Sequence, residues 1–171
     1  MESPEQWHFP YFDEDMGAAV GAQLAAADTV LLGRVTYEGF AEAWPGREDA
    51  GGEDAEMAKA LGDARKVVVS RSEPALSWRN SEQLKGDLVE GVTALKQEDG
   101  GPIGMSGSVS VVRALLAAGL IDELHLLVHP IAVGRGARLF DEGVDPIRLK
   151  LLSSTAFASG VLHTVYGPAD A

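Results

Sequence analysis

Apolar and polar positions along this chain change period repeatedly. Within Asp13 to Ala27, Met16, Val20 and Leu24 recur every fourth residue with alanines between them, which predicts a helix. Thr29 to Leu32 is a short buried strand closed by Gly33. Arg34 to Trp44 returns to a helical spacing, with Val35, Tyr37, Phe40 and Trp44 as its apolar contacts. Pro45 to Glu53 is rich in Gly, Pro and acid and is expected to be a mobile loop. A short helix is expected over Ala55 to Ala64. The run Val67, Val68, Val69 within Lys66 to Ser70 predicts a strand covered on both faces. Arg71 to Lys85 shows no regular period. Asp87 to Gln97 places Leu88, Val92 and Leu95 on one helical face, and Gly100, Gly101 and Pro102 end it.

The next stretch is the most informative. An apolar segment, Ile103 to Met105, runs into Ser106-Gly107-Ser108; a helix starts there and stops at Gly119. A strand is expected from about Leu124 to Val133, and two more over Ile147 to Tyr166, joined near Ser159-Gly160. Helices and strands alternate until about residue 120, and the rest is β. The expected class is α/β: a mostly parallel central sheet, helices on both faces, and an antiparallel C-terminal hairpin. The length of 171 residues suits a single domain over 1–171.

Composition removes several function classes. The chain has no cysteine, so disulfides, thiolate catalysis and cysteine–zinc sites are excluded. Its formal charge of −12 argues against a nucleic-acid partner. The first ten residues lack the apolar core of a signal peptide, and no run approaches the ~20 apolar residues that span a bilayer. The expectation is a cytoplasmic protein with no membrane partner. His125 and His129 stand four apart in an expected strand, ~13 Å along it, too far to share a metal, so no metal site is expected. His125 and His163 are expected to pair across the sheet.

Three strand ends carry candidate chemistry. Ser106-Gly107-Ser108 joins a strand to a helix, where Gly107 permits close approach of an anion and Ser108 caps the helix and offers its hydroxyl. A plain strand-to-helix turn with a serine cap explains it equally. At Gly33-Arg34-Val35-Thr36, Arg34 and Thr36 lie in a first helical turn, where a cation is disfavoured unless an anion compensates it. A solvated arginine is the other reading. Ser70-Arg71-Ser72 ends the third strand and offers a guanidinium clamp. Open α/β sheets bind ligands at the carboxyl ends of their strands. Gly134-Arg135-Gly136 looks like a phosphate loop but reads better as a turn or bulge. Trp7, Phe9 and Tyr11 either roof a flat substrate or serve packing or a dimer contact. Asp13 and Glu38 are the candidate proton donors, with solvent as the alternative.

Taken in order, several segments resemble one reductase family. They are Leu32 to Glu38, Val68 to Arg71, Ser106 to Ser108, Gly119 to Leu124, Pro130 to Gly136, and Leu139-Phe140. The family includes the C-terminal domain of the bifunctional riboflavin-biosynthesis deaminase-reductase, RibD, with a fold like dihydrofolate reductase. The resemblance implies a homodimer that binds NADPH and passes a hydride to a small pterin-, pyrimidine- or other heterocycle-like substrate. It implies that Gly33, Arg34 and Thr36 contact cofactor phosphates, that Ser70 and Arg71 hold the adenosine end, and that Gly107 and Ser108 meet the pyrophosphate. Substrate would then lie between the nicotinamide and Trp7, Phe9 and Tyr11.

Two features depart from the family pattern. The family begins with a strand about two dozen residues before the place where Met1 falls. Either the chain extends upstream, a partner fills the gap, or the sheet is rearranged. Val109 also stands where a smaller residue is common. These departures motivate two alternatives: a non-catalytic binding protein that keeps the reductase fold, and a nicotinamide-independent enzyme that reuses the pocket.

Overall fold

Thr29–Gly33 forms β1, and all five of its residues are buried. Its continuous apolar run is what a central strand needs, because both faces are covered. In the computed structural model, which describes residues 6–52, 54–140, 142 and 145–169, β1 is the middle of a parallel sheet. Arg65–Val69 forms β2, Ser81–Gln83 forms β3 and Ile103–Met105 forms β4. The strand order is β3-β2-β1-β4, with Leu31 opposite Val67 on one side and Met105 on the other. The chain divides into two units: Val20–Val112 holds this sheet, and Met1–Ala19 with Arg113–Ala171 forms the second.

The helices of the chain are α1 (Glu14–Ala26), α2 (Arg34–Ala50), α3 (Ala55–Asp63), α4 (Leu88–Leu95) and α5 (Val109–Ala117). The core of the first unit is Val30, Leu32, Tyr37, Leu61, Val68 and Trp78, with Phe40 and Trp44 packed on it. The Tyr37 hydroxyl accepts the Trp78 backbone N–H at 3.0 Å within this buried cluster. Asp87 caps α4, accepting the N–H groups of Val89 and Glu90.

Lys66 was expected only as the start of a buried strand, yet its whole side chain is buried. Its ammonium donates to the carbonyls of Leu61, Gly62 and Ala64 at 2.7–2.9 Å and lies 4.4 Å from the Trp78 ring centre. Those carbonyls close α3, so the cation sits at the negative end of a helix. Burial, and to a lesser degree Arg79, lowers its pKa to about 8.

Three segments differ from their expectation. First, α2 continues through Pro45 to Ala50, where a loop was expected; Glu53 lies outside the described residues. Proline removes one helical bond, but the following turn is held both within the helix and from outside it. Arg47 lies over the Trp44 ring at 5.0 Å, and Glu48 pairs with Arg79 at 2.7 Å. Gly51, at φ +68°, then ends the helix. Second, Ser81–Gln83 pairs with β2 although it carries no apolar alternation. Third, the strand from Leu124 ends at Val128 rather than Val133, because Pro130 has no N–H for a ladder.

That strand is β5. With β6 (Leu149–Ala156) and β7 (Leu162–Pro168) it makes a separate antiparallel sheet of order β5-β7-β6. Gly160 in the β6–β7 turn has φ +83°. His125 and His163 meet across the ladder, Nδ1 to Nε2 at 3.1 Å, and Glu123 is 3.0 Å from the other nitrogen of His125. His8 and His129 form a second pair at 3.0 Å. Burial and the neighbouring imidazole lower the pKa of both His8 and His163.

Candidate functional site

The parallel register sets which loops become neighbours. Gly33 ends β1 opposite Val69, the last residue of β2. Ser70 and Arg71 therefore follow directly beside the Gly33–Arg34 junction. On the other flank Met105 lies opposite Leu31, so Ser106-Gly107-Ser108 leaves β4 alongside the same junction. Adjacent strands are ~4.8 Å apart, which makes three polar turns a single edge of the sheet.

At the centre of that edge is Ser108. Its Oγ accepts the Gly33 N–H at 2.8 Å and lies 2.7 Å from Thr36 Oγ1. Gly107 and Ser108 have φ of +80° and +59°. Serine is rarely left-handed, so this conformation is held by its surroundings. The pair of left-handed residues turns the chain from β4 into α5 and carries the hydroxyl across to β1. Gly33 is required for space rather than torsion: a Cβ there would lie 2.6 Å from Ser108 Oγ. Beyond this lock, the carbonyl of Ser108 accepts from Val111 and Val112. The N–H groups of Val109 and Ser110 precede these bonds and have no backbone acceptor among the described residues. They form the positive end of α5.

Gly33, Thr36, Gly107 and Ser108 are thus brought together, and Ser70 and Arg71 stand on the neighbouring strand end. Arg71 is exposed and makes no ion pair among the described residues. Arg34 is also exposed, but one of its nitrogens donates to both Glu38 oxygens at 2.8 and 3.0 Å. The anion that compensates a cation in this first turn is therefore Glu38, one helical turn on. The spacing of four residues was the available signal.

The proton-donor expectations change on this geometry. Asp13 caps α1 by accepting the Met16 N–H at 2.9 Å and ties down the β6–β7 turn by accepting the Ser159 N–H at 2.9 Å. The Met16 N–H above all, and Ser159, hold its carboxyl below the usual range. An acid kept ionised in this way is a poor proton donor at neutral pH. Glu38 is engaged as the carboxylate partner of Arg34.

Trp7, Phe9 and Tyr11 belong to the second unit. Trp7 and Tyr11 both meet the His129 ring edge-on, at 5.2 and 5.7 Å, while Phe9 touches His8 and is 65% exposed. Trp7 also lines a cavity with the segment Val133 to Arg138. Gly134 and Gly136 there have φ of +72° and +99° and lie outside any strand, which makes the segment a loop rather than a bulge.

A parallel sheet with glycine, hydroxyl and arginine groups at neighbouring strand ends beside a helix start defines the class as an open α/β protein, in which ligands are held at the carboxyl ends of the strands. The chain belongs to the RibD C-terminal domain family, whose family model matches residues 2–163. It is 31% identical over 154 residues to the uncharacterized protein YyaP of Bacillus subtilis (strain 168), covering 90% of this chain and 80% of that protein. Two solved structures share the fold. One is a candidate riboflavin biosynthesis protein from Shewanella sp. PV-4, with a TM-score of 0.65 and 19% identity over 93% of this chain and 81% of that one. The other is a pyrimidine reductase-like protein from Corynebacterium diphtheriae, with a TM-score of 0.60 and 15% identity over 95% and 84%. Among the described residues no helix is long and apolar enough to cross a membrane.

Proposed function

We propose that this chain is an NADPH-dependent reductase of a small pyrimidine-, pterin- or other heterocycle-like molecule. The observation that carries the reading is the Ser108 lock, which holds two strand ends and the start of α5 in one arrangement. The open N–H groups of Val109 and Ser110 suit a pyrophosphate, and exposed Gly107 leaves room for it. Arg71, exposed and without an ion pair among the described residues, suits a 2′-phosphate on the adenosine end, with Ser70 beside it. Gly33 and Thr36 line the same edge, and Arg34 reaches the phosphates only by sharing itself with Glu38. The residues fit the group. When bound, the cofactor supplies the hydride; the chain's own part is to grip the phosphates and orient the dinucleotide. With Asp13 and Glu38 both engaged, water is the proposed source of the proton.

The family match runs through both units, which supports reading 1–171 as one functional domain. Trp7 and Tyr11 are proposed as flat faces for a heterocyclic substrate. A cytoplasmic location and a homodimer are part of the same proposal. The dimer reading is supported by the exposed apolar residues of the antiparallel sheet, including Val128, Leu151, Leu152 and Leu162.

A fluorescence titration with NADPH and NADH tests the reading. Wild-type protein is expected to bind NADPH with a micromolar Kd, equivalent to about −8 kcal/mol. Arg71→Ala is expected to weaken NADPH at least tenfold and NADH by less than threefold. Equal weakening of both would remove Arg71 from the 2′-phosphate. Absence of NADPH binding by wild-type protein would favour the non-catalytic or nicotinamide-independent alternatives.

A further inference from the structure

The cavity in the second unit is not used by the cofactor edge. Its volume is about 400 Å³, within the range of small-molecule sites, and Trp7 and the loop Val133 to Arg138 line it. Two features set this loop apart. Left-handed glycines stand on either side of Arg135, and with nothing within 4 Å of a Cβ at Gly134, its glycine serves the turn and not the packing. The loop also carries two arginines in a molecule of charge −12. Arg135 donates to the neutral Gln6 amide oxygen at 3.3 Å and meets no carboxylate among the described residues. Arg138 reaches Glu142 at 2.8 Å, an exposed pair that solvent screens and a stronger acceptor can displace. The far end of the loop is held in place, because Arg113 donates to the carbonyls of Arg138 and Leu139. Finally, the Trp7 indole N–H is buried and has no acceptor among the described residues. Arg135 with no carboxylate partner among the described residues, Arg138 with only an exposed one, a twice-turned glycine backbone and Trp7 share one cavity, and their donors suit negative oxygen.

We propose that this cavity is a binding subsite for an oxyanion, a phosphate or carboxylate group carried by a small molecule, gripped by Arg135 and Arg138 with the Trp7 ring as its apolar wall. The identification of that molecule as the substrate rests on the reductase reading above; the anion site itself does not.

Titration calorimetry on the full chain with phenyl phosphate, benzoate and neutral benzamide tests it. At least one of the anions is expected to bind wild-type protein ten times more tightly than benzamide, and the preferred anion separates phosphate from carboxylate. Arg135→Gln combined with Arg138→Gln is expected to weaken that anion at least tenfold while NADPH affinity and melting temperature stay at their wild-type values. Trp7→Phe, which keeps a ring and removes the N–H, is expected to cost about threefold. Arg34→Gln combined with Arg71→Gln is expected to leave the anion unaffected. The proposal is overturned if neither anion binds, if benzamide binds as tightly, or if the Arg34 and Arg71 variant loses the anion while the loop variant keeps it. Loss of NADPH binding in wild-type protein would end the reductase reading and leave this site standing.

Discussion

Single side chains decide the geometry of the cofactor edge. Ser108 is the clearest case, since its hydroxyl joins residues 72 and 75 positions away in the chain. Ser108→Ala removes the acceptor of the Gly33 N–H and is expected to cost about 1 kcal/mol of stability. A thermal melt measures that, and NADPH affinity is expected to fall with it. Gly33→Ala is expected to be worse, because the new methyl would enter the space of the Ser108 oxygen. A variant as stable and as tight-binding as wild type would show that the lock does not position the edge. Each of these residues was recognisable as a candidate, because glycine, serine and arginine follow apolar runs at three places. Their mutual bond was not recognisable: no local period reports a contact between Gly33 and Ser108. Glu38 carries a different lesson. Its partner Arg34 lies one helical turn away, a spacing that the sequence displays.

Elements were legible where their own hydrophobic pattern made them. β1 and β2 are continuous apolar runs, and α4 has three apolar residues on one face behind an aspartate cap. Where tertiary contacts made the element, sequence reading fell short. β3 is Ser81–Gln83, whose strand character comes from pairing with β2. α2 passes through Pro45 because Arg47 and Glu48 anchor the turn beyond it. This last feature makes a prediction at the level of the helix. Pro45→Ala restores the missing N–H and is expected to raise stability by about 1–3 kcal/mol, read as a higher urea midpoint with unchanged slope. A lower midpoint would mean that the proline ring contributes packing worth more than the bond it removes.

For the molecule as a whole, two properties follow from the second unit. The first is acid sensitivity. His8 and His163 have pKa values below the ordinary 6.5 in the folded protein. The unfolded chain therefore binds more protons as pH falls through 6.5, and stability drops with it. The melting temperature is expected to decline between pH 7.5 and 5.5, and His163→Gln is expected to flatten that decline. A wild-type profile level across this range would contradict it. The second is self-association. Among the described residues β6 pairs with β7 alone, and a bulge between Leu151 and Ser153 accompanies half exposure of both Leu151 and Leu152. An apolar strand edge left open is a hazard unless another chain covers it. Leu151→Lys with Leu152→Asp is expected to convert a homodimer into a monomer in sedimentation analysis; a wild-type monomer would remove the dimer from the proposal.

Asp13 gives the chain an order of assembly. Its carboxylate binds the turn at Ser159, 146 residues later, and the unit it belongs to joins residues before Val20 to residues after Val112. Val20–Val112 is translated in full before Ser159 leaves the ribosome. Asp13 can cap α1 at once, but its bond to Ser159 must wait until the β6–β7 turn has been translated.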